Sequence, residues 1–158
     1  ITTTSTNHQQ TTTLHSNIMI VSGFMIPAAK VATCMPTDTA KTALDAMVKL
    51  KIGAIIVVSP TNAKQAVGIL TKTDFVEAYQ QGQSLDTPVS MLMSATLLTL
   101  RDTASRDAAA SFFESHENHH AVVVNEKGDF VGLISAWDVS AECSKDGKAW
   151  PWNRSEDG

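Results

Sequence analysis

The chain has 158 residues, 43% of them hydrophobic, and 12 lysines and arginines against 16 aspartates and glutamates give it a net charge of −4. That length suits one domain or two small, intimately packed units, and the weakly acidic balance without a basic run argues against nucleic acid or an anionic membrane surface as a partner. The longest apolar runs, such as Ala54 to Val58 and Ala121 to Val124, are far too short to cross a bilayer, so no membrane span and a soluble protein are expected.

Residues 1–17 are rich in Thr, Ser and Gln, lack hydrophobic periodicity, and read as a disordered or extended arm. The stretch has no acidic residue before Asp38 and no initiator Met, which fits a trimmed organelle-targeted precursor or a cut chain equally well. The expected compartment is therefore the cytoplasm, or an organelle matrix or stroma. Cys34 and Cys143 stand far apart and read as buried or semi-buried thiols of a reducing compartment.

From Ile18 onward the chain repeats itself. Val21-Ser22-Gly23-Phe24-Met25 is echoed by Val89-Ser90-Met91-Leu92-Met93, short strands Val31 to Cys34 and Leu97 to Leu100 follow, and then come Asp38-Thr39-Ala40 and Asp102-Thr103-Ala104. Each Asp-Thr pair is an N-cap signal, offering side-chain oxygens to the unpaired N–H groups of a first helical turn. The first helix carries Ala43, Leu44, Met47 and Leu50 as its apolar stripe; the second carries Ala108, Ala109, Phe112 and Phe113, with Arg106, Glu114 and Glu117 outward. The β-branched runs 54–58 and 121–124 read as strands buried on both faces. A turn follows each, Ser59-Pro60-Thr61-Asn62 and the tighter Asn125-Glu126-Lys127-Gly128.

The most informative echo closes each unit. Gly68-Ile69-Leu70-Thr71-Lys72-Thr73-Asp74 returns as Gly132-Leu133-Ile134-Ser135-Ala136-Trp137-Asp138, each ending a buried strand (66–70 and 130–134) and opening an amphipathic stretch (74–79 and 138–143). Strand, turn and helix start leave free backbone N–H groups beside a hydroxyl and a carboxylate, a usable pocket for a sugar and its phosphate. Repeats are thus expected over 18–82 and 83–146, each strand-helix-strand-strand-helix, and a tail over 147–158. Trp150-Pro151-Trp152 in that tail is expected to fold back on the domain or on a dimer mate, or to serve as a docking peptide.

With these motifs in place, residues 21–143 resemble a tandem pair of CBS domains, the Bateman module. The resemblance implies an α/β fold in which two β-α-β-β-α repeats pack about a pseudo-twofold axis. It implies a disc-like homodimer, or a subunit of a larger complex, that binds an adenine nucleotide between the repeats and signals its presence to a partner protein. Asp74 and Asp138 fall on the family's ribose-binding aspartate, and a carboxylate can accept from both ribose hydroxyls at once. Thr71 and Ser135 fall on its phosphate-binding hydroxyl, with Lys72 and His120 as further phosphate contacts, and Gly68 and Gly132 keep the backbone clear for close approach. Thr33, Cys34, Met35 and Ile55 would line one base pocket; Thr99, Leu100, His120 and Val122 the other. The sequence departs from the family where a proline often precedes the valine pair of the middle strand, since Ile56 and Val122 stand there. Positive charge is sparse, with Lys72, Arg101, Arg106, His119 and His120 the only candidates, which favours AMP or ADP over ATP.

Plainer readings compete. An aspartate at a helix start stabilises that start with no ligand present. The run His116-Glu117-Asn118-His119-His120 has metal-ligating side chains, but at a helix-to-strand junction they would diverge, so no metal site is expected. No nucleophile with a base at a recognised spacing and no phosphate-cradling glycine loop is present, which excludes the familiar catalytic motifs; no cofactor and no catalysis are expected. Two functions remain: a nucleotide-sensing regulatory module, and a ligand-independent assembly subunit that uses the same fold as a scaffold.

Overall fold

The computed structural model describes residues 19–145. The N-terminal arm expected over 1–17 and the Trp150-Pro151-Trp152 tail lie outside the described residues. Within them the elements run β1 (Ile26–Pro27), β2 (Thr33–Cys34), α1 (Ala40–Leu50), β3 (Ala54–Ser59), β4 (Asn62–Thr71), α2 (Lys72–Gln80), β5 (Thr99–Arg101), α3 (Arg106–Ser115), β6 (His120–Val124), β7 (Phe130–Ser135) and α4 (Ala136–Lys145). They form two small sheets, β2-β3-β4 and β1-β7-β6-β5. In each, a short first strand runs parallel to the middle strand, which pairs antiparallel with the third.

The middle strands hold the fold together because they are apolar on both faces. In β3, Ile55 and Val57 face their own helix layer with Ala43, Met47 and Leu70, while Ala54, Ile56 and Val58 face the other repeat. In β6, Ala121 and Val123 pack under α3 and α4, and Val122 joins Ile56, Phe130 and Leu133 in the seam between the sheets. Alternation at period two sends successive side chains to opposite layers, so a strand of this kind needs both.

The leading segments of the repeats are exchanged. Val21, fully buried, sits in the core of the second repeat against Ala109, Phe113 and Val139, and β1 pairs with β7 through Ile26 opposite Leu133. Val89, also fully buried, sits in the first repeat's core, and Ser94 pairs with Ile69 of β4. Each strap is pinned by matching backbone bonds: Val21 N–H to Ala104 O (2.8 Å) and Ser22 N–H to Asp102 O (2.9 Å) on one side, Val89 N–H to Asp38 O (2.8 Å) and Ser90 N–H to Pro36 O (3.0 Å) on the other.

That symmetry corrects the alignment of the two copies. Thr39 caps α1, accepting from Thr42 N–H, and the residue that caps α3 is Ser105, accepting from Ala108 N–H. The expected cap pair Asp102-Thr103 lies before the helix; Asp102 uses its backbone to hold Ser22 and Val124, and its Oδ1 is buried without a partner among the described residues. Two further expectations reverse. Leu50, expected inward, is exposed at the end of α1, where the chain leaves through Lys51 in the left-handed region (φ 54°). Arg106, expected outward, is buried in the first turn of α3, and Ala110 takes the inward place expected of Ala108.

Candidate functional site

The closing motifs build two helix starts of the same geometry. At α2, Asp74 Oδ2 accepts from Thr71 N–H (2.5 Å) and from Thr71 Oγ1 (2.9 Å). At α4, Asp138 Oδ2 accepts from Ser135 N–H (2.8 Å) and Ser135 Oγ (2.6 Å), while Asp138 N–H donates to Ser135 Oγ (3.2 Å). Both carboxylates therefore do the work of a capping box. Each commits one oxygen to the cap and leaves Oδ1 without a hydrogen-bond partner among the described residues. A carboxylate oxygen has two acceptor sites, so one Oδ1 is enough for a diol. The N–H groups expected to lie free are mostly spent: that of Lys72 donates to Gly53 O (3.3 Å) and that of Ala136 to His119 O (3.0 Å).

The antiparallel register places each helix start beside the first residue of a middle strand, Thr71 opposite Ala54 and Ser135 opposite His120. Two clefts result, one from each motif with the other repeat as its far wall. The Asp74 cleft, about 640 Å3, takes Thr71, Lys72, Thr73 and Glu77 from the first repeat and Ser94, Thr96, Leu98 and residues 117–120 from the second. The Asp138 cleft, about 160 Å3, takes Ser135, Leu133 and His120 from the second repeat and Lys30, Val31, Ala32, Ile52, Gly53 and Ala54 from the first. The size difference has a local cause. Between the matched positions Ile26 and Ala32 the first strap has two residues more than the second has between Ser94 and Leu98, and the extra turn, Ala28–Lys30, brings Lys30 and Val31 into the smaller cleft.

The aspartates, hydroxyls, Lys72 and His120 singled out in the sequence all border a cleft. The expected base-pocket residues, His120 aside, do not, and alternation along the strands is the reason. Cys34 and Ile55 point into the helix-covered core of the first repeat, Val122 is sealed in the seam, Leu100 packs toward α3, Met35 and Thr99 are exposed, and Thr33 borders a different depression with Lys64 and Asp129. The walls are set instead by Ala32, Gly53 and Ala54 on one side and by Leu98, Asn118 and His119 on the other, all at or before the strand starts. The two glycines are close-packed for another reason than ligand approach. A Cβ on Gly132 would lie 2.7 Å from the Ile26 carbonyl oxygen, and one on Gly68 would meet the Met93 thioether, so these glycines admit the exchanged straps.

Electrostatics in the larger cleft are lean. Among the described residues Lys72 is its one lysine, against Asp74, Glu77 and Glu117. Arg106 is buried beside Asp107 (3.4 Å) and Arg101 is exposed on β5; neither borders a cleft. His116 stacks on Phe112 with ring centroids 4.4 Å apart, away from His119 and His120, which reach the cleft. Burial, and next the adjacent His119, hold the His120 imidazole below its ordinary range, opposed by the pull of Asp138. Unfolded histidine takes a proton near pH 6.5, so the unliganded protein loses stability as pH falls through that value toward the folded-state one, and the loss levels off below both. Chemical denaturation at about pH 7.5 and pH 5.5 is expected to show this loss, and His120→Gln to reduce it. Burial, with Asp38 adding to it, pushes the Cys34 thiol up to about 11, which keeps it protonated and poorly nucleophilic.

A CBS-domain family model matches residues 21–81 and 89–145. The chain belongs to the CBS-domain family. This CBS pair is 29% identical over 125 residues to the uncharacterized protein MJ1225 of Methanocaldococcus jannaschii, covering 70% of this chain and 44% of that one, so it spans less than half of that relative. It is 30% identical over 112 residues to the CBS domain-containing protein YhcV of Bacillus subtilis, covering 70% of this chain and 77% of that one. Inosine-5'-monophosphate dehydrogenase of Aquifex aeolicus is 30% identical over 108 residues, 68% of this chain but 21% of the enzyme. Among solved structures, CBSX2 in complex with AMP superposes with a TM-score of 0.71 at 20% identity, covering 82% of this chain and 99% of that one. PAE2072 of Pyrobaculum aerophilum, complexed with AMP, gives 0.71 at 24%, covering 80% and 99%. These similarities establish the paired CBS fold. Among the described residues, no helix is long and apolar enough to cross a membrane.

Proposed function

We propose that this CBS pair is a non-catalytic regulatory module that binds one adenine nucleotide, AMP or ADP, in the Asp74 cleft and passes its presence to a partner protein. The observation that carries the reading is the pairing of size with chemistry: the cleft of about 640 Å3 lies within the range of small-molecule sites, and the Thr71-Lys72-Thr73-Asp74 helix start opens into it. Asp74 Oδ1 would accept the ribose hydroxyls, and the Thr71 and Lys72 side chains would meet the phosphate. The base would lie against Ile69 and Leu98. One lysine against three carboxylates disfavours a triphosphate, which supports AMP or ADP over ATP. AMP in the two similarly folded proteins supports the same ligand class. A ligand that binds one arrangement of the two repeats better than another would shift their equilibrium, and through it a partner. Exposed Val48 and Val76, flanking an apolar groove between α1 and α2, support assembly with a second copy or a larger complex.

Titration calorimetry with AMP, ADP, ATP and adenosine tests the reading. Saturable binding of AMP and ADP at one site per chain, with ATP weaker, is the expected result. No binding by any of the four would leave the scaffold reading, which the use of both aspartates as helix caps favours.

A further inference from the structure

Among the described residues only Gly53 and His120 border both clefts, and of the two only the histidine can carry charge. His120 opens β6 at the position that Ala54 holds in β3, as the shared pairing with Ser135 and Thr71 shows. The first repeat therefore has no counterpart, and whatever this side chain does is done once per molecule. Its ring is half-buried and has no hydrogen-bond partner among the described residues. On the small-cleft side it faces Lys30 of the first strap and Asp138 of α4. On the large-cleft side it faces Lys72, Asp74 and Glu77 of α2, with Glu117 and His119 from the turn before β6.

The small cleft is a poor home for a second nucleotide. At about 160 Å3 it falls well below the roughly 300 Å3 at which small-molecule sites begin, and Lys30 and Val31 line it. Asp138 is thus left with a carboxylate oxygen, Oδ1, that the cap does not use, in a space that a nucleotide does not fit. Across the partition, the large cleft is short of positive charge where a phosphate would sit. We infer that Asp138 sets the charge of the neighbouring cleft: its carboxylate stabilises protonated His120, and that imidazolium meets the phosphate of the nucleotide seated beside Asp74. The inference rests on the nucleotide reading for the Asp74 cleft. It makes the second copy of the motif a positioning residue that acts through His120, with no ligand of its own. Burial and His119 work against the imidazolium and Asp138 works for it, the direction that such a role requires. A nucleotide phosphate would complete the stabilisation, so AMP affinity rises as pH falls from about 8 to about 6.5, whereas adenosine affinity stays level.

The test uses Asp138→Asn, whose amide oxygen keeps an acceptor for Ser135 and so spares the helix start. Nuclear magnetic resonance follows the His120 imidazole through its titration in both proteins, and calorimetry follows AMP and adenosine from about pH 8 to about pH 6.5. The expected result is a lower His120 titration point in the variant, AMP binding weakened about 3- to 10-fold near pH 6.5, adenosine unchanged, and one site per chain in both proteins. A variant that drops from two nucleotides per chain to one, with His120 titrating as before, would make Asp138 a ligand residue of a second site and overturn the inference. Equal losses for AMP and adenosine would overturn it as well, since they would mark a structural effect. If the unaltered chain binds neither AMP nor adenosine, the nucleotide reading fails instead. The imidazole titration still judges the Asp138–His120 pairing, and an unshifted titration refutes it.

Discussion

Asp74→Ala is expected to remove the AMP-induced rise in melting temperature and to weaken AMP binding by about 30-fold or more. A carboxylate that accepts from both ribose hydroxyls contributes charge-assisted bonds of about 1.5–3 kcal/mol each, and losing either leaves a ribose hydroxyl without its best acceptor. At a hundredfold excess over Kd, AMP should stabilise the wild-type chain by about 2.7 kcal/mol, several degrees for a protein of this size. The variant should forfeit most of that. Because Asp74 Oδ2 also holds Thr71 N–H and Oγ1, the unliganded variant should itself lose about 1 kcal/mol from the start of α2. Asp74→Asn separates the two effects: its amide oxygen can keep the cap, so stability stays near wild type while AMP binding falls. Thermal unfolding with and without AMP reads both quantities. An Asp74→Ala chain that melts lower but gains as much from AMP as wild type would reduce this carboxylate to a helix cap.

The paired architecture was legible because the chemistry that repeats is the chemistry that folds. Two runs buried on both faces, 54–58 and 121–124, cannot sit at a surface, and the strand that follows each closes on the same glycine, hydroxyl and aspartate. Register was harder to read. The motifs lie 64 residues apart, but Thr39 matches Ser105 at a spacing of 66 and Val21 matches Val89 at 68. Two small length differences account for this: the extra turn Ala28–Lys30 in the first strap, and the longer hairpin between β3 and β4, where residues 59–65 do what 125–129 do in the second copy. Identical letters therefore set Asp38-Thr39 against Asp102-Thr103 and hide the cap Ser105. Lys30 is hidden for the same reason, since it stands in a turn that the second copy lacks. The cleft walls escaped because a strand buried on both faces carries no mark of which face, or which end, meets the gap between repeats. Nor does periodicity reveal that the straps are exchanged, since Val21 and Val89 would look the same in either core.

That exchange leads to the largest stability effect expected in the molecule. Gly132→Val should cost about 3 kcal/mol or more, or leave no folded protein. A Cβ at Gly132 would stand 2.5 Å from Met25 Sδ and 2.7 Å from the Ile26 carbonyl oxygen, and the latter is backbone, so it can yield only if β1 leaves β7. Once β1 leaves, the outer edge of β7 is unpaired and Val21, whose burial is complete, is drawn from among Ala109, Phe113 and Val139. Burying a valine is worth about 1.5 kcal/mol or more, and the strain of forcing a larger residue into a filled space adds about 1–3 kcal/mol. Gly68 provides the internal comparison. There the backbone oxygen, that of Ser94, is 3.2 Å from the added Cβ, and the nearer atom is the flexible end of Met93, which can swing aside. Gly68→Ala should therefore be milder than Gly132→Ala, although the two positions are related by the repeat. Urea unfolding midpoints rank the variants, and proteolysis within residues 24–30 reports whether the first strap has been released. The same strap carries Lys30 and Val31 into the Asp138 cleft, so releasing it should enlarge that cleft and withdraw Lys30 from His120. A Gly132→Val chain that unfolds at the wild-type midpoint would mean that the strap does not lie on β7, and the extra turn Ala28–Lys30 could then no longer be what makes the two clefts unequal.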